Sequence, residues 1–150
     1  MNRKFPLQQL QDLSGMRLDE AARTLGKLIA GEQEADQRLA TLVQYREEYR
    51  QRLHEAANNG VNPRIWRNYQ NFLARLDEAV DQAHAMLDDS RRQTALGQKN
   101  WLEQRGKAKA FDALAQRHRS RVQRADVLSE QKESDEHGAR SHCVGDEGDT

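Results

Sequence analysis

Apolar side chains recur in alternating steps of three and four along the first part of the chain. The positions are Leu18, Ala21, Leu25, Leu28, Glu32, Ala35, Leu39, Leu42, Arg46, Tyr49, Leu53 and Ala56, and ten of the twelve are apolar. A repeat averaging 3.5 residues keeps one stripe of a helix facing a partner helix, so the pattern predicts a coiled-coil seam. Leu7, Leu10 and Leu13 carry the apolar character upstream in a shifted register. Gly15, Gly26 and Gly31 each weaken a helix by up to about 1 kcal/mol relative to alanine, which marks them as places where it could bend or break.

The first helix is predicted to stop at Asn58, Asn59 and Gly60, because Asn and Gly tolerate the left-handed conformation that ends helices. Asn62 and Pro63 then offer an N-cap and a proline at the first helical position. A second seam follows at once through Trp66, Tyr69, Leu73, Leu76, Val80, Ala83, Leu87, Ser90, Thr94, Gly97, Trp101, Gln104, Ala108, Phe111, Ala115, His118, Val122 and Ala125, of which thirteen are apolar. Its weak stretch, Ser90 to Gly97, predicts looser packing or a local irregularity. Two long seams joined by a short turn near 58–63 predict an all-α fold, a long two-helix antiparallel coiled-coil hairpin over residues 1–126. At about 1.5 Å per residue, a helix of about 50 residues is roughly 75 Å long.

Composition supports extended helices over a compact globule. Only 36% of the chain is hydrophobic and 5% aromatic, whereas 32% is charged, which is little material for a globular core. Residues 127–150 hold almost no large apolar side chain, so the same reasoning predicts a disordered acidic tail there. That tail has seven acids and two bases, and the formal net charge of zero therefore conceals +5 on the first 126 residues. No apolar run approaches the roughly 20 residues of a membrane span, and the first residues lack an apolar signal core, so a soluble cytoplasmic protein is expected.

Candidate chemistry is sparse. The glycines are scattered through helical segments and form no phosphate-binding loop, and the motifs GxSxG, HExxH and CxxC are absent. His54, His84, His118, His137 and His142 are widely separated, and Cys143 is the single cysteine, so no metal or cofactor is expected. These features predict a binding protein and not an enzyme. From Lys99 to Arg124 eight basic residues face only Glu103 and Asp112. Such a strip fits an acidic protein surface or phosphates, and equally the solvated face of a helix.

The apolar surface is wider than one seam near the turn. Ile65, Phe72, Ala79 and Met86 lie at intervals of seven beside the second seam, and Leu39, Leu42, Val43, Tyr45 and Tyr49 crowd one part of the first helix. A two-helix hairpin buries one stripe well, so the surplus predicts a docking surface; a self-associating bundle would use the same stripe.

Four segments in this order resemble the FliJ family of flagellar type III export proteins: FPLQQLQDL at residues 5–13, AARTLGKL at 21–28, WRNYQNFLARL at 66–76, and KNWLEQRGKAKAFDAL at 99–114. The resemblance covers about residues 3–125. It implies a non-enzymatic stalk that binds the flagellar export ATPase ring, links it to the membrane export gate, and handles export chaperones at the inner-membrane face of the flagellar base. The family's gate surface falls here on Leu42, Tyr45, Tyr49, Phe72, Leu76 and Ala79, while Arg38 and Ala83 depart from the polar residues of the family pattern. By likeness to a rotary-ATPase stalk, the ATPase contact is expected at the end remote from the turn, on Leu7, Leu10, Leu13, Arg117, Arg119, Arg121 and Arg124. The competing reading is a generic coiled-coil structural or nucleic-acid-associated protein, which salt-dependent DNA binding would favour.

Overall fold

The computed structural model describes the backbone of residues 4–145 and the side chains of residues 4–140. Two α-helices make up the fold, α1 from Gln8 to Asn59 and α2 from Pro63 to Gly145, with no strand among the described residues. Between them Gly60 takes a positive φ of 77°, which terminates α1 in the left-handed conformation that glycine adopts without a Cβ clash. Asn62 then caps α2: its Oδ1 accepts the Arg64 amide at 3.0 Å and its carbonyl accepts the Trp66 amide at 3.1 Å. Pro63 at the first helical position lacks an N–H that would have had no helical partner there. The helices therefore reverse direction within three residues.

Packing divides the chain into two units. The turn unit is residues 19–103, and the end unit joins residues 1–18 to residues 104–150.

In the turn unit the helices run antiparallel, and every seam position from Ala21 to Ala56 and from Trp66 to Trp101 is buried or half-buried. The core is Leu39, Val80, Ala83 and Leu87, with Ala35 and Leu42 packed against it. The two charged seam positions are matched across the interface. Glu32 meets Arg91 at 3.8 Å, and Arg46 meets Asp77 at 3.7 Å, with Arg50 joining Asp77 at 3.6 Å. These pairs are substantially exposed, so each is worth only about 0–1 kcal/mol, and they tolerate charge in the seam without driving the fold.

The stretch from Ser90 to Gly97 departs from its expectation. α2 is uninterrupted there, and the small residues admit a close approach. A Cβ placed on Gly97 would sit 2.6 Å from Leu28 Cδ1 and 3.7 Å from Leu25 Cδ1. The Thr94 hydroxyl lies 3.3 Å from the Leu28 carbonyl and 3.0 Å from that of Ser90, a donor within reach of both helices. What reads as a weak seam is the complement of two leucines. Nor do Gly15, Gly26 and Gly31 break α1, since the helix continues through all three.

In the end unit the seam keeps the register of Leu18, so the next inward positions are Ser14, Gln11 and Leu7. Ser14 is buried at 6% exposure, Gln11 and Leu7 are half-buried, and Leu10 and Leu13 face outward. The apolar shift among these leucines thus marks an outer face and not a change of seam. Gln11 donates from Nε2 to Asp112 Oδ1 at 2.8 Å, and the Phe5 ring lies 5.6 Å from that of His118. At the far side of α2 the seam drifts, with Ala125 exposed and Asp126 half-buried.

Residues 127–145 continue α2 instead of leaving it at 127. Their described side chains, Val127 to Arg140, are all exposed. The segment has no proline and several good helix formers, so local propensity extends the helix without adding a core. The His142 and Cys143 side chains and residues 146–150 lie outside the described residues.

Candidate partner-docking surfaces

The surplus apolar residues of the turn unit gather on one aromatic cluster. Tyr49 reaches from α1 to Phe72 on α2, ring centroids 4.4 Å apart, and to Tyr69 at 6.5 Å. Both separations suit tilted aromatic packing. The Arg52 guanidinium stands 5.2 Å above the Tyr49 ring, within range of a cation–π contact. Asp77, held by Arg46 and Arg50, closes the neighbouring seam position, and its Oδ1 has no hydrogen bond at the tighter distance such a bond requires.

The six residues assigned to one gate surface take different depths. Leu76 is buried, and Leu42, Tyr49 and Ala79 are half-buried, whereas Phe72 is 37% exposed and Tyr45 50% exposed. Tyr45 and Phe72 are therefore available to a partner, Tyr49 holds Phe72 in place, and Leu76 and Leu42 support the face from within the seam. Ile65, Val43 and Met86 extend the exposed apolar surface. A shallow cavity of about 150 Å³ opens on the same unit, lined by Gly31, Glu34, Ala35, Arg38, Ala83 and Met86. It follows from small residues on facing helix positions, a signal present in the sequence but hidden there because the pairing register of the helices was not known.

In the end unit Leu7 is half-buried, and Leu10, Leu13, Arg117, Arg119, Arg121 and Arg124 are exposed. Arg117, Arg121 and Arg124 line one groove with Ala113, Gln116 and Ser120, as steps of four and three place them on one side of α2. Arg119 is not part of that groove.

Among the described residues no group of three or more His, Cys, Asp or Glu side chains could hold a metal ion. No described helix is long and apolar enough to cross a membrane. What the surfaces offer is shape, aromatic area and charge.

The sequence profile of the family described as flagellar FliJ protein matches residues 3–145. The flagellar FliJ protein of Salmonella typhi is 33% identical over 135 residues, which is 90% of this chain and 92% of the relative. That of Escherichia coli K12 is 30% identical over the same shares of both chains.

Proposed function

The chain belongs to the flagellar FliJ family, and from that premise we propose that it is a non-enzymatic component of the flagellar protein export apparatus. In this reading it acts in the cytoplasm at the flagellar base, binds the export ATPase ring and links it to the membrane export gate, and meets export chaperones. The observation that carries the reading is the aromatic face near the turn. Phe72 stays 37% exposed although Tyr49 packs on it, and a part-exposed aromatic held in a fixed orientation is the kind of residue that anchors an interface. A monomeric two-helix protein gains nothing from leaving it out of the seam.

The two contacts are assigned to different units. The gate reads Tyr45, Phe72 and Ala79, with Leu42, Tyr49 and Leu76 setting their positions; the ATPase reads Leu7, Leu10 and Leu13 together with Arg117, Arg119, Arg121 and Arg124. Four arginines without an intervening acid suit an acidic ring surface and speed encounter at low salt.

Pull-downs of the full chain with the purified export ATPase and, separately, with the cytoplasmic part of the export gate test both contacts. Phe72→Ala is expected to weaken the gate complex and spare the ATPase complex, and reversing the four arginines to glutamate should do the converse with a marked salt dependence. Wild-type protein that captures neither partner would refute the reading.

A further inference from the structure

The Gln11–Asp112 hydrogen bond fixes both register and side in the end unit. Asp112 lies on one flank of the α2 seam, about 80° round the helix from its centre line, and Leu114 lies about as far round on the other flank. Antiparallel helices are related by a two-fold axis normal to the pair, which brings equivalent flanks to the same side. Arg38 and Met86 show this in the turn unit, where they line one cavity. Leu10 therefore shares the side of Leu114, and at nearly the same level, since it precedes Gln11 by one residue as Leu114 follows Asp112 by two. Two turns further along, Arg17 and Lys107 stand side by side on that flank, six residues after Gln11 and five before Asp112. Two cations thus occupy flanking positions where a coiled coil ordinarily sets opposite charges.

The stripe continues along both helices. At 3.6 residues per turn, Lys107, Leu114, Arg117, Arg121, Arg124 and Leu128 fall within about 100° of the α2 surface, and Leu13 joins Leu10 and Arg17 on α1. The acids from Lys107 to Glu133, which are Asp112, Asp126, Glu130 and Glu133, centre on the opposite side of α2, and Asp12 is likewise turned away on α1. On that arc of α2 Glu103 precedes the stripe and Asp135 follows it. Leu10, Leu13 and Leu114 are 46%, 42% and 41% exposed, and Leu128 65%. Arg17, Lys107, Arg117, Arg121 and Arg124 are exposed too, and no ion pair among the described residues engages any of them.

Apolar and cationic side chains are thus interspersed on one face. A partner helix could not lay a continuous apolar stripe along it without stripping water from an arginine, and a nucleic acid would leave four leucines uncovered. A membrane interface accepts both kinds of residue. Leucines enter the acyl boundary, while arginine stems lie among them and the guanidinium groups reach lipid phosphates. We propose that this face of the end unit lies on the headgroup layer of an anionic bilayer, with Leu10, Leu13, Leu114 and Leu128 at the acyl boundary and the five cations on lipid phosphates. Each cation near such a surface multiplies binding roughly fivefold, and less as salt rises, so the contact is peripheral and reversible. Arg117, Arg121 and Arg124 also belong to the ATPase contact proposed above, but the lipid contact does not rest on it.

The test is cosedimentation of the full chain, without ATPase, with vesicles of phosphatidylcholine alone and of phosphatidylcholine with roughly one-third phosphatidylglycerol. Circular dichroism confirms that each variant remains helical. Wild type is expected to sediment with the anionic vesicles and not with the neutral ones, equally well in inorganic phosphate and in chloride of the same ionic strength. Arg121→Glu and Arg119→Glu change the charge identically two residues apart on opposite sides of α2. The first should weaken binding at least about tenfold and the second less than about threefold, because Arg119 is held about a Debye length from the bilayer. Replacing Leu10, Leu13 and Leu114 together by glutamine should also weaken binding, at least about tenfold. Wild type that ignores anionic vesicles or binds neutral ones as well would overturn the proposal, as would equal effects of the two arginine reversals. Full binding by the glutamine variant would reduce the face to a general polyanion site, and selective release by inorganic phosphate to a free-phosphate site; either result overturns the lipid contact.

Discussion

Gly97→Ala should reveal whether the small stretch of α2 is a fitted complement to Leu28 or merely tolerated. On helix propensity alone the change stabilises the helix by about 1 kcal/mol. Against that, the new Cβ would lie 2.6 Å from Leu28 Cδ1, whereas carbons rest at about 3.5–4.0 Å. The Leu28 methyl must give way by about 1 Å. Leu28 is half-buried and can leave its rotamer at a cost on the order of 0.5–1.5 kcal/mol, so the two effects nearly cancel in the single variant. The coupling between the sites is the sharper quantity. Leu28→Ala removes the clash, after which the nearest atom to the new Cβ is Leu25 Cδ1 at 3.7 Å, an ordinary contact. Gly97→Ala should then return its full ~1 kcal/mol of propensity in the Leu28→Ala background. A double-mutant cycle by urea unfolding, followed by far-ultraviolet circular dichroism, should give a coupling of about 0.5–1.5 kcal/mol in favour of the double variant. Effects additive to within about 0.3–0.5 kcal/mol would show that Leu28 does not occupy the space a side chain at 97 needs.

Four further outcomes are expected. Phe72→Ala should cost about 2 kcal/mol or more of gate affinity, at least about tenfold by titration calorimetry, with helicity preserved; Leu73→Ala should instead lower the melting temperature, its cost near or below the low end of the ~2–5 kcal/mol of a buried leucine because Leu73 is only half-buried. Ser14→Ala should raise stability by up to about 1 kcal/mol in denaturant titration, since Ser14 Oγ is buried with no hydrogen-bond partner and alanine is the better helix former. Gly26→Ala should also raise the melting temperature, by up to about 1 kcal/mol in stability, because a Cβ there meets nothing within 4 Å.

Much of the fold was legible because a 3.5-residue repeat is a one-dimensional signal. Twelve positions on α1 and seventeen on α2 that share the repeat turn inward, with Ala125 the exception. The turn was legible too, since Gly60, Asn62 and Pro63 each act through their own backbone or side chain and need no distant partner. Upstream of Leu18 the apolar count misled. Leu10 and Leu13 look like seam residues, but phase continuity from Leu18 puts Ser14 and Gln11 inside, and a helix cannot change phase without an irregularity that α1 lacks. The candidate docking surface was legible in membership and not in depth. Spacing marks Leu76 and Phe72 alike as apolar beside the turn, but whether a side chain is buried depends on what the other helix places opposite it. Tyr49 against Phe72 is such a fact.

Opposition is also what selects one pairing register in the turn unit out of several that the repeat would allow. Sliding α2 by one heptad preserves apolar-on-apolar contact almost everywhere, so the repeat alone discriminates poorly. The exceptions decide it. Leu28 faces Thr94 and Gly97; a slip of seven residues would set it against Leu87 and Ser90 in one direction or Trp101 in the other, in place of a glycine whose missing side chain leaves room for it. Glu32 would lose Arg91 and meet His84 or Gln98, and Arg46 would lose Asp77 and meet Gln70 or His84. Each lost pair matters by only about 0–1 kcal/mol, yet all the changes fall on the slipped state and none on the native one. The three-residue connection between Asn59 and Pro63 adds its own constraint, because a slip would have to unwind a turn of helix to lengthen it. The residues that look like flaws in the heptad, Glu32, Arg46, Thr94 and Gly97, are therefore the ones that specify which residues of α1 and α2 meet.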